Sequence, residues 1–66
     1  MENKKKLKAL IKHWSEHSLE HRESFLKWAE KAEKMGFKEA SKCLQEAAKA
    51  MEEVVKNLDK ALEFLS

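Results

Sequence analysis

The segment Ala32-Glu33-Lys34-Met35-Gly36-Phe37-Lys38 indicates where this chain reverses its direction. Gly36 is the only glycine among the 66 residues, and there is no proline, so the chain has one natural point of reversal. Glycine readily adopts the left-handed conformation that follows the last turn of a helix, and Lys31 and Lys34 suit the negative end of that helix. We therefore expect one helix to end here and a second to begin within a residue or two of Phe37.

The sequence on both sides of this turn is typical of long helices. Ala, Leu, Glu and Lys are frequent in both halves, and no stretch alternates like a strand. These features predict helices over about residues 4–35 and 37–65, with Asn3 as the N-cap of the first. Two helices joined by a tight turn must pack antiparallel, as a hairpin about 45 Å long. The sequence predicts an all-α fold with a single domain over residues 1–66.

Apolar residues follow heptad steps along both helices. In the second helix the row is Phe37, Ala40, Leu44, Ala47, Met51, Val54, Leu58, Ala61 and Leu65, broadened by Ala48, Val55 and Leu62. In the first helix it is Leu7, Ile11, Trp14, Ser18, His21, Phe25, Trp28, Ala32 and Met35, broadened by Leu10 and Ala29. Each stripe is wider than one partner helix can cover. We therefore expect a homodimer in which two hairpins form a four-helix bundle, with both tryptophans buried at its interface.

Charge and composition argue against several classes of protein. Fourteen Lys and Arg against twelve Asp and Glu give a formal charge of +2 with mixed signs, which does not call for nucleic acid. A basic segment near the start, Lys4, Lys5, Lys6, Lys8 and Lys12, is more often a solvated helix face than a phosphate site. Cys43 is the only cysteine, and no apolar run is long enough to span a membrane. We expect a cytoplasmic, non-membrane protein.

The three histidines of the chain, His13, His17 and His21, stand four residues apart. On a helix this spacing places all three imidazoles on one side, where a pair at i and i+4 can bind one metal ion. The histidine ladder therefore predicts a site for Zn, Ni, Cu or Fe. Glu16 and Glu20 could support the imidazoles from the solvent side, and Met51 could face His21 from the second helix, although methionine in a heptad row is usually a core residue.

The same residues allow another interpretation. A histidine on the packed side of a helix can form a polar layer that fixes helix register without any metal, so the alternative function is a metal-free helical dimerisation or protein-interaction module. A phosphate- or nucleic-acid-binding hairpin that uses the N-terminal lysines is a weaker third class. No Gly-rich phosphate loop, CxxC pair or Ser/His/Asp order is present, so we do not expect an enzyme.

The string from His13 to His21, His-Trp-Ser-Glu-His-Ser-Leu-Glu-His, is followed by Phe25, Trp28-Ala29, Ala32 and Gly36. It resembles a family of small helical proteins of archaea and anaerobic bacteria with the pattern H-W-x-x-H-(N/S)-x-x-H and then W-A-x-x-A. The resemblance covers about the whole chain and implies a two-helix fold with three recurrent histidines, without an established activity. Ser18 stands where that family usually has asparagine.

Overall fold

The computed structural model describes residues 2–66 and contains two helices in that part of the chain. Helix α1 spans Glu2–Lys34 and helix α2 spans Lys38–Leu65. The all-α hairpin is therefore confirmed. The expectation that Asn3 caps α1 is wrong, because the helix already begins at Glu2, whose carboxylate suits the positive end of the helix dipole.

The turn between the helices has the geometry that its glycine predicts. Gly36 has a φ of 90°, and its N–H donates to the carbonyl of Glu33 at 3.0 Å. The N–H of Phe37 donates to the carbonyl of Ala32 at 2.9 Å. These two bonds form a Schellman motif, which ends α1 sharply. Phe37 is the N-cap of α2 without a side-chain capping bond, so α2 begins where it was expected.

The hairpin is a rod. Its extents are 53 × 14 × 11 Å, and its radius of gyration is 15.3 Å, against about 11 Å for a compact globule of this length. Neither helix, over residues 2–66, has an apolar stretch long enough to cross a membrane. A rod two helices thick has no deep interior, so its packing depends on the single seam where α1 meets α2.

The seam of α1 overlaps the expected row but is rotated toward Ser15, Arg22 and Ala29. Ile11, Ser18, Phe25 and Ala32 belong to both. The buried and half-buried residues of α1 are Ile11, Ser15, Ser18, Arg22, Phe25, Ala29 and Ala32. Those of α2 include Ser41, Leu44, Ala48, Met51, Val55, Leu58, Leu62 and Leu65. Trp14, His21 and Trp28 were expected in the α1 row that faces the core, and all three are exposed in the hairpin. Small residues occupy the seam instead, because they allow two helix axes to approach more closely than tryptophans would.

Small side chains also account for the size of the core. The residues less than a tenth exposed are Ile11, Ser15, Ala29, Ala32, Ser41 and Ala48. The Ser41 hydroxyl donates to the carbonyl of Ala29 at 2.7 Å, which ties the helices together near the turn. Larger apolar side chains remain much more exposed, with Trp14 at 46% and Trp28 at 51%. The hairpin alone therefore leaves much of its apolar surface uncovered.

The two sides of the seam differ in charge. At about 100° per residue, and with α2 antiparallel to α1, one side carries Lys12, Glu23 and Glu30 together with Gln45, Glu52, Asp59 and Glu63. We call this side the charged face. The other side, the open face, carries Leu10, Trp14, His17, His21, Ser24 and Trp28 of α1 with Ala40, Ala47, Val54 and Ala61 of α2. These ten residues carry no charge. At the ends of the face lie Lys6, at the same helical angle as Ser24, and Lys31, whose Nζ is 4.3 Å from the centroid of the Trp28 ring.

Candidate metal centre

The histidine ladder lies on the outer surface of α1, near the middle of the helix. His13, His17 and His21 are all exposed, as an ion entering from solvent requires. The expectation that His21 lies on the seam of the hairpin is wrong, because the inward position is taken by its neighbour Arg22. The ladder therefore runs along the edge and surface of the open face rather than into the contact between α1 and α2.

His17 and His21 are the two histidines that the structure brings together. Their Nε2 atoms lie 2.9 Å apart, and one ring donates its N–H to the lone pair of the other. The rings are nearly perpendicular, at 88°, with centroids 4.5 Å apart. This bond joins the outer nitrogens of both rings, so the two Nε2 atoms face each other at 2.9 Å.

This convergence is close to the geometry of two imidazoles bound to one ion. With metal–nitrogen bonds of about 2.0–2.1 Å, two ligand nitrogens lie about 2.9 Å apart at a right angle and about 3.3 Å apart at the tetrahedral angle. The observed separation needs an adjustment of a few tenths of an ångström at most. The ring that donates must also carry its proton on Nδ1 instead, so that both Nε2 lone pairs can face the ion.

The other rings of the ladder stack on this pair. His13 lies beside His17 with ring centroids 6.0 Å apart and an interplanar angle of 17°, so its ring runs parallel to that of His17. His21 stacks on Phe25 at 5.9 Å and 27°. Because Phe25 is half-buried in the seam, it restrains the His21 end of the ladder, and His13 lies at the opposite end.

One chain supplies an incomplete ligand shell. Within residues 2–66, no group of three or more His, Cys, Asp or Glu side chains is placed to hold one ion. In the same part of the chain, no hydrogen bond joins Glu16 or Glu20 to an imidazole. Met51 is half-buried in the inner row of α2, and Cys43 is a free, exposed thiol. Of the predicted site residues, His17 and His21 are joined by a hydrogen bond, and His13 contacts His17 by stacking.

The sequence analysis missed three polar residues of the seam, Ser15, Arg22 and Ser41. The Ser15 hydroxyl donates to Oδ1 of Asp59 at 2.9 Å, and Gln45 donates to the Ser41 hydroxyl at 3.3 Å. Arg22 reaches Glu52 at 3.3 Å, while its buried Nε has no hydrogen-bond partner within residues 2–66. The available signal was the small size of Ser15 and Ala29, which lie beside the expected row, but it was weaker than the signal of the large apolar side chains within that row.

Comparison with known families places this chain in one of them. The family model described as a domain of unknown function, DUF8180, matches residues 7–65. The chain therefore belongs to the DUF8180 family, and the match includes all three histidines, α1 from Leu7 onward and the whole of α2. Comparisons with curated proteins and with solved structures return no match.

Proposed function

We propose that this hairpin binds a transition-metal ion through its histidine ladder, with His17 and His21 as the first two ligands. The observation that carries the proposal is the approach of their Nε2 atoms to 2.9 Å. Imidazole is the commonest protein ligand for Zn, Cu and Ni. The remaining coordination positions are filled by His13 after its ring turns, or by a second chain. Such a protein serves in metal buffering, sensing or delivery in the cytoplasm and does not itself catalyse a reaction.

The surroundings of the pair support an ion at this point. Both rings are exposed, so the ion and its waters have access from solvent. The row of α1 that carries them has no Lys or Arg to repel a cation. Both rings also lie on one continuous helix, which fixes the separation of their Cα atoms and reduces the cost of ordering the ligands.

Thermal unfolding with and without metal tests this proposal. A ligand that binds only the folded state at a hundred times its Kd adds about 2.7 kcal/mol, which for a chain of this size raises Tm by roughly 10 to 20 °C. We expect this rise with at least one of Zn²⁺, Ni²⁺, Cu²⁺ and Co²⁺, and its loss with a chelator. His17→Ala and His21→Ala should each remove most of it, whereas Lys27→Ala, an exposed change on the same helix, should not. No shift with any of these metals would refute the proposal.

The open face favours a second candidate function, that of a metal-free association module. Trp14 and Trp28 are about half exposed on it, and exposed apolar surfaces of this kind usually mark contact with another protein. If this is the function, His17→Ala weakens self-association in the presence of chelator. If the histidines serve the metal, the same change leaves association in chelator intact and alters it only when metal is added.

A further inference from the structure

The hairpin exposes more surface than a monomer of its mass normally does. Its accessible area is 5485 Å², whereas a monomeric protein of 7.7 kDa is expected to expose about 4,300 Å². The excess is of the order of the roughly 800 Å² that each partner buries in a standard interface. One side of the rod can therefore be covered by a partner of similar size.

The open face is the side suited to such a partner. Its ten residues are uncharged, and Lys6 and Lys31 lie only at its ends. Interface cores are depleted in charged residues and enriched in aromatic ones, while the rim is polar. The charged face has already paired part of its polar groups within the hairpin, through Ser15 with Asp59 and Arg22 with Glu52. A partner for the open face must present an equally uncharged, apolar surface.

A second copy of this chain presents such a surface, and the α1 row is complementary to itself. The row Leu10, Trp14, His17, His21, Ser24 and Trp28 advances in steps of 4, 3, 4, 3 and 4, which read the same in both directions. When two copies run antiparallel about the middle of this row, Leu10 lies opposite Trp28 of the partner subunit and Trp14 lies opposite Ser24 of the partner subunit. Each tryptophan then meets a smaller side chain, and His17 lies opposite His21 of the partner subunit.

Helix α2 has the same centre of symmetry. The bonds from Ser15 to Asp59 and from Arg22 to Glu52 place the middle of the α1 row, near Leu19, level with Val55. Val54 lies at this level on the open face, with Ala47 and Ala61 seven residues to either side. The midpoints of the open-face rows of α1 and α2 therefore lie at the level of a single twofold axis. The small residues of α2 allow that helix to lie close to its copy.

We propose that two copies pack head to tail through their open faces, and that His17 and His21 of both chains form one four-imidazole metal site on the twofold axis. This inference rests on the proposed function. The four imidazoles complete the ligand shell that one chain leaves incomplete. Four nitrogen donors suit tetrahedral Zn²⁺ or tetragonal Cu²⁺ and Ni²⁺. His13 turns away from the axis and stays outside the shell.

Native mass spectrometry of the whole chain with Zn²⁺ tests the shared site. We expect a dimer that holds one ion per two chains, and loss of the ion in His17→Ala and in His21→Ala. His13→Ala separates the two ways of completing the shell. The ion stays if the partner's pair completes it, and loss of the ion would overturn the shared site in favour of a ladder within one chain.

A monomeric variant separates failure of this inference from failure of the proposed function. Trp14→Glu should abolish the dimer and weaken Zn²⁺ binding more than about tenfold, with circular dichroism reporting that the helices remain. One ion per chain with undiminished affinity in this monomer would overturn the shared site and leave the proposed function standing. Wild-type protein that binds no Zn²⁺, Ni²⁺, Cu²⁺ or Co²⁺ would overturn both.

Disulfide crosslinking tests the packing directly. It keeps all the histidines, needs no metal and does not require a variant that disrupts the dimer. In a Cys43→Ser background, Val54→Cys should crosslink to its copy across the axis under mild oxidation. Glu52→Cys on the charged face is the matched control and should remain a monomer on denaturing gels. A dimer in which Val54→Cys fails to crosslink would overturn the head-to-tail arrangement, since hairpins packed side by side in parallel hold the two Val54 positions apart.

Discussion

The charged face and the open face of the hairpin are built from the same two helices. Their side chains differ in how far they find partners within the hairpin. On the charged face, Ser15 bonds to Asp59 and Arg22 pairs with Glu52, and the other charges reach water. On the open face, Trp14 and Trp28 stay about half exposed, and the Lys31 ammonium lies over the Trp28 ring. The difference indicates that the charged face pairs part of its polar groups within one chain, whereas the open face offers an aromatic surface to the partner that we propose.

The position of the histidines follows from this contrast. His17 and His21 lie in the open-face row, among residues that bring no charge, at the middle of α1. On the charged face, nearby carboxylates and ammonium groups would form hydrogen bonds with the imidazoles in place of the bond between the two rings. On the open face the two rings form a hydrogen bond with each other instead, which holds their outer nitrogens 2.9 Å apart.

The largest effect is expected from placing a charge on the open face. Trp14→Glu should convert the protein to a monomer and lower the free energy of unfolding by more than about 2 kcal/mol per chain, because a large aromatic contact is lost and a carboxylate faces an apolar surface. Leu19→Glu is a matched control, since Leu19 and Trp14 are 45% and 46% exposed. It lies toward the charged face and should change the free energy by about 0.5 kcal/mol or less. Sedimentation equilibrium and urea unfolding measure both, and equal effects of the two substitutions would remove the distinction between the faces.

A smaller effect is expected where the charged face meets the seam. Ser15→Ala removes a 2.9 Å hydrogen bond from a buried hydroxyl to the Asp59 carboxylate, and it should cost about 1 kcal/mol. The dimer should persist, because the open face is unchanged. Urea unfolding at several protein concentrations separates the two quantities. Dissociation of the dimer by this substitution would contradict the assignment of Ser15 to the packing within one chain.

The smallest effect is expected at the Arg22–Glu52 ion pair. Its side chains are 33% and 54% exposed, so water and salt screen the pair, and Glu52→Gln should cost less than about 1 kcal/mol. The loss should shrink further at high salt. Thermal unfolding in low and high salt measures it. A cost of several kcal/mol that is independent of salt would mean that Glu52 has a greater structural role than its exposure indicates.

The sequence predicted the helices, the turn and the alignment of the histidines, because each depends on local chemistry. Gly36 fixed the turn through its φ of 90°, and spacing by four residues aligned the imidazoles on one side of α1. The packing row was predicted only in part. Its members Ile11, Ser18, Phe25 and Ala32 face α2 as expected, whereas Trp14 and Trp28 stay outside and Ser15 and Ala29 pack inward. The difference depends on which rows let the helix axes approach most closely.

The convergence of His17 and His21 also lay beyond the sequence. Spacing places both rings on one side, but the 2.9 Å approach of their Nε2 atoms depends on side-chain rotamers. The stacking of His21 on Phe25 contributes to that choice. Spacing alone gave three equivalent ligands, whereas the structure distinguishes a convergent pair from His13, whose ring stacks in parallel on His17.

X-ray absorption of the Zn²⁺-loaded protein examines the histidine site itself, because it reports which atoms surround the metal. We expect nitrogen at about 2.0–2.1 Å with the outer-shell scattering of imidazole rings, and a marked loss of that scattering in His21→Ala. Sulfur at about 2.3 Å, from Cys43 or Met51, or a shell of oxygen without imidazole scattering, would contradict it.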